Sequence, residues 1–148
     1  MSKIFDDWNG KIELVILPHS EQRYDTVGDW SLTYYPDEEG ATLTFSISET
    51  GDKKMNFALF MHELNEALLF MFKNGFDRHS VKVVDEFDKW FIEGGLDGEP
   101  GGATDAPYFS EHMTAMSVEH LVAASINLNW NDYTEKIGSL EYSLDKEK

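Results

Sequence analysis

From Phe57 to Phe72 nearly every residue is apolar, and the exceptions are His62, Glu63, Asn65 and Glu66. A run of this length without glycine or proline predicts a helix, and apolar side chains on almost all its faces place that helix inside a domain. A carboxylate buried there is costly unless it is paired, protonated or bound to a metal. His62 and Glu66 stand at i and i+4 and share one face, with Glu63 beside them. This is the arrangement of the H-E-x-x-H metal helix with Glu66 in the place of the second histidine.

The elements around this helix follow from periodicity and punctuation. Lys11 to Leu17 is rich in β-formers and stops at Pro18, Trp30 to Tyr35 alternates and stops at Pro36, and Ala41 to Ser48 alternates again. The turn chemistry of Asp37 to Gly40 predicts that the last two form a hairpin. Helices take over from Asn56. The first closes at Gly75. A second starts at a Ser80 cap and runs to about Glu93 with Val81, Val84, Phe87, Trp90 and Phe91 on its apolar face, a third starts at a Ser110 cap, and a fourth begins near Trp130. Between the second and third, Leu96 to Phe109 is a loop rich in glycine and proline, of a length often tied to function. The expected fold is a single α+β domain over 1–148. It is strand-rich over 1–50, with a small antiparallel N-terminal sheet, and helical over 56–145, as a bundle of three to four helices.

Net charge narrows the partners. Twenty-eight acidic against 12 basic residues give −16, which repels nucleic-acid backbones and argues against direct DNA or RNA binding. It leaves open a small-molecule or peptide substrate held through a metal, or a host protein with a basic face. The chain has no cysteine, which excludes disulfides and thiolate metal sites and suits a reducing cytosol. The first residues lack the apolar run of a signal peptide, and no apolar stretch is long enough to span a bilayer. The expectation is a cytoplasmic protein without a membrane partner.

Three helices each carry histidine or carboxylate on an otherwise apolar or small-residue face. These are His62 and Glu66 on the first, Asp88 on the second with Asp85 one turn earlier, and His112 and Glu119 seven residues apart on the third. Helical bundles build metal centres by projecting such ligands inward from facing helices. Imidazole and carboxylate donors suit zinc or manganese, and three protein ligands leave a position for water. His62, Glu66 and His112 are therefore the first-choice ligands. Glu119 and Asp88 are further ligands or acceptors that orient a histidine, and Glu63 is the base. Arg23, cationic in a very acidic chain, is a candidate for binding a substrate anion. Tyr24, Trp30 and Tyr108 read as packing residues, and Glu99 and Asp105 as loop acids at a cleft edge.

Two resemblances add to this. Glu63-x-x-Glu66, followed after 18 residues by Asp85-x-x-Asp88, is similar to the E-x-x-E…E-x-x-D motif of the all-α nucleotide pyrophosphohydrolases of the MazG and dimeric dUTPase group. That resemblance covers two helices, has Asp85 where the family has glutamate, and implies magnesium held by carboxylates with Asp85 beside the substrate. A longer ordered pattern runs through Gln22-Arg23-Tyr24, Gly28-Asp29-Trp30, His62-Glu63-x-x-Glu66-Ala67, Asp85-x-Phe87-Asp88, Glu99-Pro100-Gly101, Ala106-Pro107-Tyr108, Glu111-His112 and Glu119. It resembles a group of small phage and prophage proteins of no assigned activity, and implies a bacterial host cytosol and a role in phage–host conflict. The functional expectation is a metal-dependent hydrolase whose activated water attacks an amide or phosphoester. The alternatives are a non-catalytic acidic inhibitor or DNA mimic, and a magnesium-dependent nucleotide pyrophosphohydrolase.

Overall fold

The structure, a computed structural model, describes residues 10–34, 40–76, 78–96 and 98–141. The order is β1 (Gly10–Leu17), β2 (Gly28–Tyr34), β3 (Ala41–Ser48), α1 (Lys53–Asn74), α2 (Arg78–Glu93), α3 (Phe109–Ser125) and α4 (Trp130–Glu141). This is the α+β layout expected. Single 3-10 turns at His19–Glu21 and Pro100–Gly102 interrupt the two long connections. Tyr35, the Asp37–Glu39 part of the hairpin turn, and the tail beyond Glu141 lie outside the described residues.

β2 and β3 pair antiparallel, with Trp30 opposite Phe45 and Leu32 opposite Leu43, as the hairpin reading requires. β1 differs from expectation. It joins the other edge of β3 in parallel, Leu14 opposite Phe45, so the sheet is mixed and ordered β1-β3-β2. The alternation of β3 explains its central place: Ala41, Leu43, Phe45 and Ile47 are all buried. Leu43 and Phe45 join Ala67, Phe70 and Met71 of α1 and Val81 and Val84 of α2 in one cluster, and Ile47 joins Ala58 and Leu59 of α1 and Tyr133 of α4 in a second. Ile12, Leu14, Val15 and Ile16 on β1 are exposed.

α1 begins three residues before Asn56 because the Asp52 carboxylate accepts from the N–H groups of Lys54 and Met55. It ends where Gly75 takes a φ of 118°, a value that glycine tolerates best. Ser80 and Ser110, expected as caps, sit inside the first turns of α2 and α3. The Ser80 hydroxyl instead donates to the Asn74 carbonyl. Trp90, expected on the apolar face of α2, is 57% exposed, while Val81, Val84 and Phe91 are buried.

α1 and α3 form the main helix pair and run antiparallel, since His62 meets Glu119 while Lys73 meets Ser110. Ala58, Ala67, Ala115 and Ala123 are almost wholly buried. Ala58 lies one turn before His62 on the same face of α1, and Ala115 and Ala123 lie one turn either side of Glu119 on α3; small side chains beside these groups let two helices approach closely. Among the described residues no helix is long and apolar enough to cross a membrane.

Candidate metal centre

Helical phase and the antiparallel packing together build the site. α1 presents His62 and Glu66 on one face, and α3 presents His112 and Glu119 opposite them. All three of His62, Glu66 and His112 are buried, at 8%, 5% and 4% exposure. His112 Nδ1 lies 2.7 Å from Glu66 Oε2, His62 Nε2 lies 3.3 Å from the same oxygen, and the two ring nitrogens are 3.3 Å apart. Ligand atoms about 2.05 Å from a tetrahedral zinc are about 3.3 Å from one another. The three atoms thus outline one face of a metal tetrahedron, and the group could hold a metal ion.

The far side of each ligand is engaged. His62 Nδ1 is 3.0 Å from Glu119 Oε1, and the other Glu119 oxygen accepts from the Tyr133 hydroxyl. A carboxylate only accepts, so His62 donates from Nδ1 to Glu119, and its Nε2 faces Glu66 and His112, where a metal ion would take the place of its proton. His112 Nε2 faces Glu99 Oε2 at 3.5 Å, which leaves Nδ1 turned inward in the same way. Glu66 Oε1 accepts from the Trp30 indole N–H at 3.0 Å, so Oε2 is the oxygen presented to the histidines. Carboxylates behind the histidines and a donor behind the glutamate are the surroundings that fix metal ligands in orientation. Three lone pairs facing one another repel unless a cation lies among them, either protons or a metal ion.

The titration behaviour of the ion-free cluster says the same. Burial disfavours a charged His62, but the hydrogen bonds it donates to Glu119 and Glu66 outweigh it and raise the imidazole to about 11. Burial would raise Glu66, yet His112 and His62 hold it below its ordinary value. Positive charge at this spot is therefore strongly favoured. Glu63 behaves differently: burial and the neighbouring Glu66 charge push it well above the usual carboxylate range.

A cleft of about 50 Å³ opens beside the three atoms, lined also by Glu63, Asp29, Asp88, Glu99 and Tyr24. With roughly 10–15 Å³ per water, it has space for an ion and a few waters, or for a small head group. Two glycines shape it. Gly28 stands against the Glu63 carboxylate, where a Cβ would come within 2.3 Å of Oε1, and Gly101 stands against His112, where a Cβ would come within 2.6 Å of Nδ1.

Of the residues singled out from sequence, His62, Glu66, His112, Glu63 and Asp88 all line this cleft. Glu119 is not at the ion position. Both its oxygens are engaged by His62 and Tyr133, so it orients a histidine. Asp88 is also outside the convergent group and accepts from the Tyr108 hydroxyl at 2.5 Å. Burial raises Asp88 to about 7, with Asp29, Glu66 and Asp85 adding to the shift and the Tyr108 bond opposing it. Arg23 and Asp85 do not line the cleft. Arg23 forms a bidentate pair with Asp29 at 2.9 and 3.0 Å and reaches Asp85 at 3.4 Å, so its guanidinium is already committed. The four-carboxylate magnesium cradle therefore lacks its Asp85 member, and among the described residues only His62, Glu66 and His112 converge as a metal group.

Trp30 and Tyr108, expected as packing residues, pack in the core and also hydrogen-bond to site carboxylates. Glu99 does more than edge the cleft, since it backs His112. Near it, Glu141 is raised to about 8 by burial and by the Glu99 charge. Tyr133 was not singled out, because a tyrosine on an amphipathic helix gives no signal in sequence. Comparisons with protein-family models, curated proteins and solved structures gave no match.

Proposed function

We propose that this chain is a metal-dependent hydrolase in which His62, Glu66 and His112 hold a divalent ion, zinc in preference to manganese. The observation that supports it is the convergence of two imidazole nitrogens and one carboxylate oxygen within 2.7–3.3 Å, each ligand backed by its own partner. The two-nitrogen, one-oxygen donor set and its tetrahedral spacing suit zinc. His62, Glu66 and His112 would hold such an ion beside the cleft, and its chemistry there would be to lower the pKa of a bound water.

Glu63 lies next to His62 on α1, and its carboxylate lines the cleft. Its raised basicity in the ion-free site suits a proton acceptor, and a divalent ion nearby draws it back toward the ionised form. Glu63 takes one proton from the water as the oxygen bonds to an amide carbon or phosphorus. It returns that proton to the departing nitrogen or oxygen as the old bond breaks, so charge and protons balance over the cycle. Tyr108 and Asp88, bonded to each other, also line the cleft.

The test is elemental analysis and calorimetric zinc titration of protein purified without a histidine tag, followed by a screen of amide and phosphoester substrates. About one equivalent of bound metal, lost in His62→Ala and His112→Ala, supports the reading. Glu63→Gln is expected to keep the metal and lose turnover. No metal uptake after reconstitution refutes it and leaves an acidic protein whose role is to bind a basic partner.

A further inference from the structure

We propose that the substrate of this site carries a positive charge, an ammonium or guanidinium group, close to the bond that is cut. The proposal rests on the hydrolase reading above and adds the substrate class to it. Five carboxylates line the cleft, those of Asp29, Glu63, Glu66, Asp88 and Glu99, and among the described residues no lysine or arginine lines it. A divalent ion offsets two of these charges. Arg23, bonded to Asp29 from outside the cleft, offsets a third. Asp88, which titrates near 7, carries only part of a charge at neutral pH, so between one and two negative charges are left facing whatever enters.

Glu63 makes the case specific. Asp29 has Arg23, Glu66 has Trp30 and the histidines, Asp88 has Tyr108, and Glu99 has His112. Glu63 is 8% exposed, lines the cleft, and accepts no hydrogen bond from any described residue. The missing side chain at Gly28 gives it the space it occupies. A carboxylate that no described residue bonds and that lines the cleft is open to a donor arriving there. In the complex the attacking water takes one oxygen and an N–H⁺ of the substrate takes the other.

An anionic phosphoester meets the opposite situation. Arg23, the guanidinium nearest the site, is paired twice over, so repulsion from the uncompensated carboxylates goes unanswered. At about 6 Å and an effective dielectric of 20–40, one such charge changes affinity by about tenfold or more. Amide substrates bearing a basic side chain, or amides of polyamines, are thus favoured over phosphoesters.

The test compares three probes on the same protein: Nα-acetyl-lysinamide, Nα-acetyl-norleucinamide and Nα-acetyl-glutamate amide. Binding is followed through the Trp30 indole N–H resonance, which reports on the cleft through its bond to Glu66, in zinc-loaded and in metal-free protein. The lysine probe is expected to bind about tenfold or more tightly than its neutral isostere, and the glutamate probe less tightly than either. Asp88→Asn, with Asp29→Asn as a second variant if the first does not fold, is expected to narrow the gap. Equal affinities, a preference for the glutamate probe, or no shift with the lysine probe overturns the proposal. Zinc binding is measured separately by calorimetry. Cation preference in a protein that takes up no zinc removes the hydrolase reading and supports the cationic ligand. Zinc uptake without cation preference does the reverse.

Discussion

Gly101→Ala and Gly28→Ala should separate metal binding from catalysis with one methyl group each. Neither glycine has a positive φ, so alanine brings no backbone strain at either position. At Gly101 the new Cβ lies 2.6 Å from His112 Nδ1, where ordinary contact begins near 3.4 Å. The ring must therefore retreat by about 0.8 Å, and metal–ligand bonds tolerate about 0.2 Å. Zinc affinity is expected to fall by about 10–100-fold, or about 1.4–2.8 kcal/mol, the range seen when a ligand is left poorly held. At Gly28 the Cβ lies 2.3 Å from Glu63 Oε1. The carboxylate must swing aside, but it is not a ligand, so zinc affinity should hold within about threefold while turnover falls by about 10²–10⁴-fold. Calorimetric zinc titration and steady-state turnover on the substrate returned by the screen check both, with circular dichroism confirming the fold. Wild-type zinc affinity in Gly101→Ala, or an equal loss of zinc in both variants, refutes the assignment of His112 as ligand and Glu63 as base.

Glu119→Gln removes the negative charge behind His62 Nδ1 but keeps an acceptor for Tyr133, and zinc affinity should fall by about 10–100-fold with little change in melting temperature; an unchanged affinity would show that Glu119 does not orient the ligand. Asp88 titrates near 7 in the folded chain against an ordinary 3.8, so between those pH values the native state holds a proton that the unfolded state has released. The Asp88 contribution to stability in EDTA, read as the difference from Asp88→Asn, should therefore be largest below about pH 4, decline as pH rises to about 7, and stay at the lower level above it. Urea unfolding of wild type and Asp88→Asn across that range checks this, and parallel curves for the two proteins refute it. The cluster of His19, Ser48 and Asp25 has the outline of a catalytic triad, with Nδ1 2.8 Å from Ser48 Oγ and Nε2 2.7 Å from Asp25. Ser48, however, is fully buried and also accepts from Gln22. Ser48→Ala should cost about 1–3 kcal/mol of stability by leaving buried polar groups unpaired and leave turnover intact, as chemical denaturation and the substrate assay will show.

What could be read from the chain depended on the range of the interaction. The hairpin strands, the long α1 helix and its Gly75 stop are local, and periodicity and punctuation revealed them. His62 with Glu66 is also local, because four residues along a helix always return to the same face. The meeting of those side chains with His112 requires in addition that α1 and α3 pack against each other on the faces that carry them. Where pairing crosses the chain, sequence gave less. The parallel attachment of β1 follows from which edge of β3 is free, and nothing in Lys11–Leu17 encodes that choice. The partners that hold the ligands, Trp30, Glu99 and Tyr133, come from a strand, a loop and the last helix, and each looks ordinary in its own segment.

α1 also departs from the usual distribution of side chains in a way that bears on function. Its buried face carries His62, Glu63 and Glu66, while Phe57, Leu69 and Phe72 are exposed. Burial of charged groups opposes folding unless each is matched, and replacing such groups with apolar ones of similar volume often stabilises a fold. A helix selected for stability alone would have turned Phe57 and Phe72 inward and put the acids in water. In α1 each costly group but one is matched: His62 by Glu119, Glu66 by Trp30 and His112. The exception is Glu63, which faces the cleft with a donor missing. A polar interior held this fully around one unmatched carboxylate is the arrangement expected of a site kept for its chemistry, since the matched groups set the geometry and the unmatched one is left free to exchange a proton.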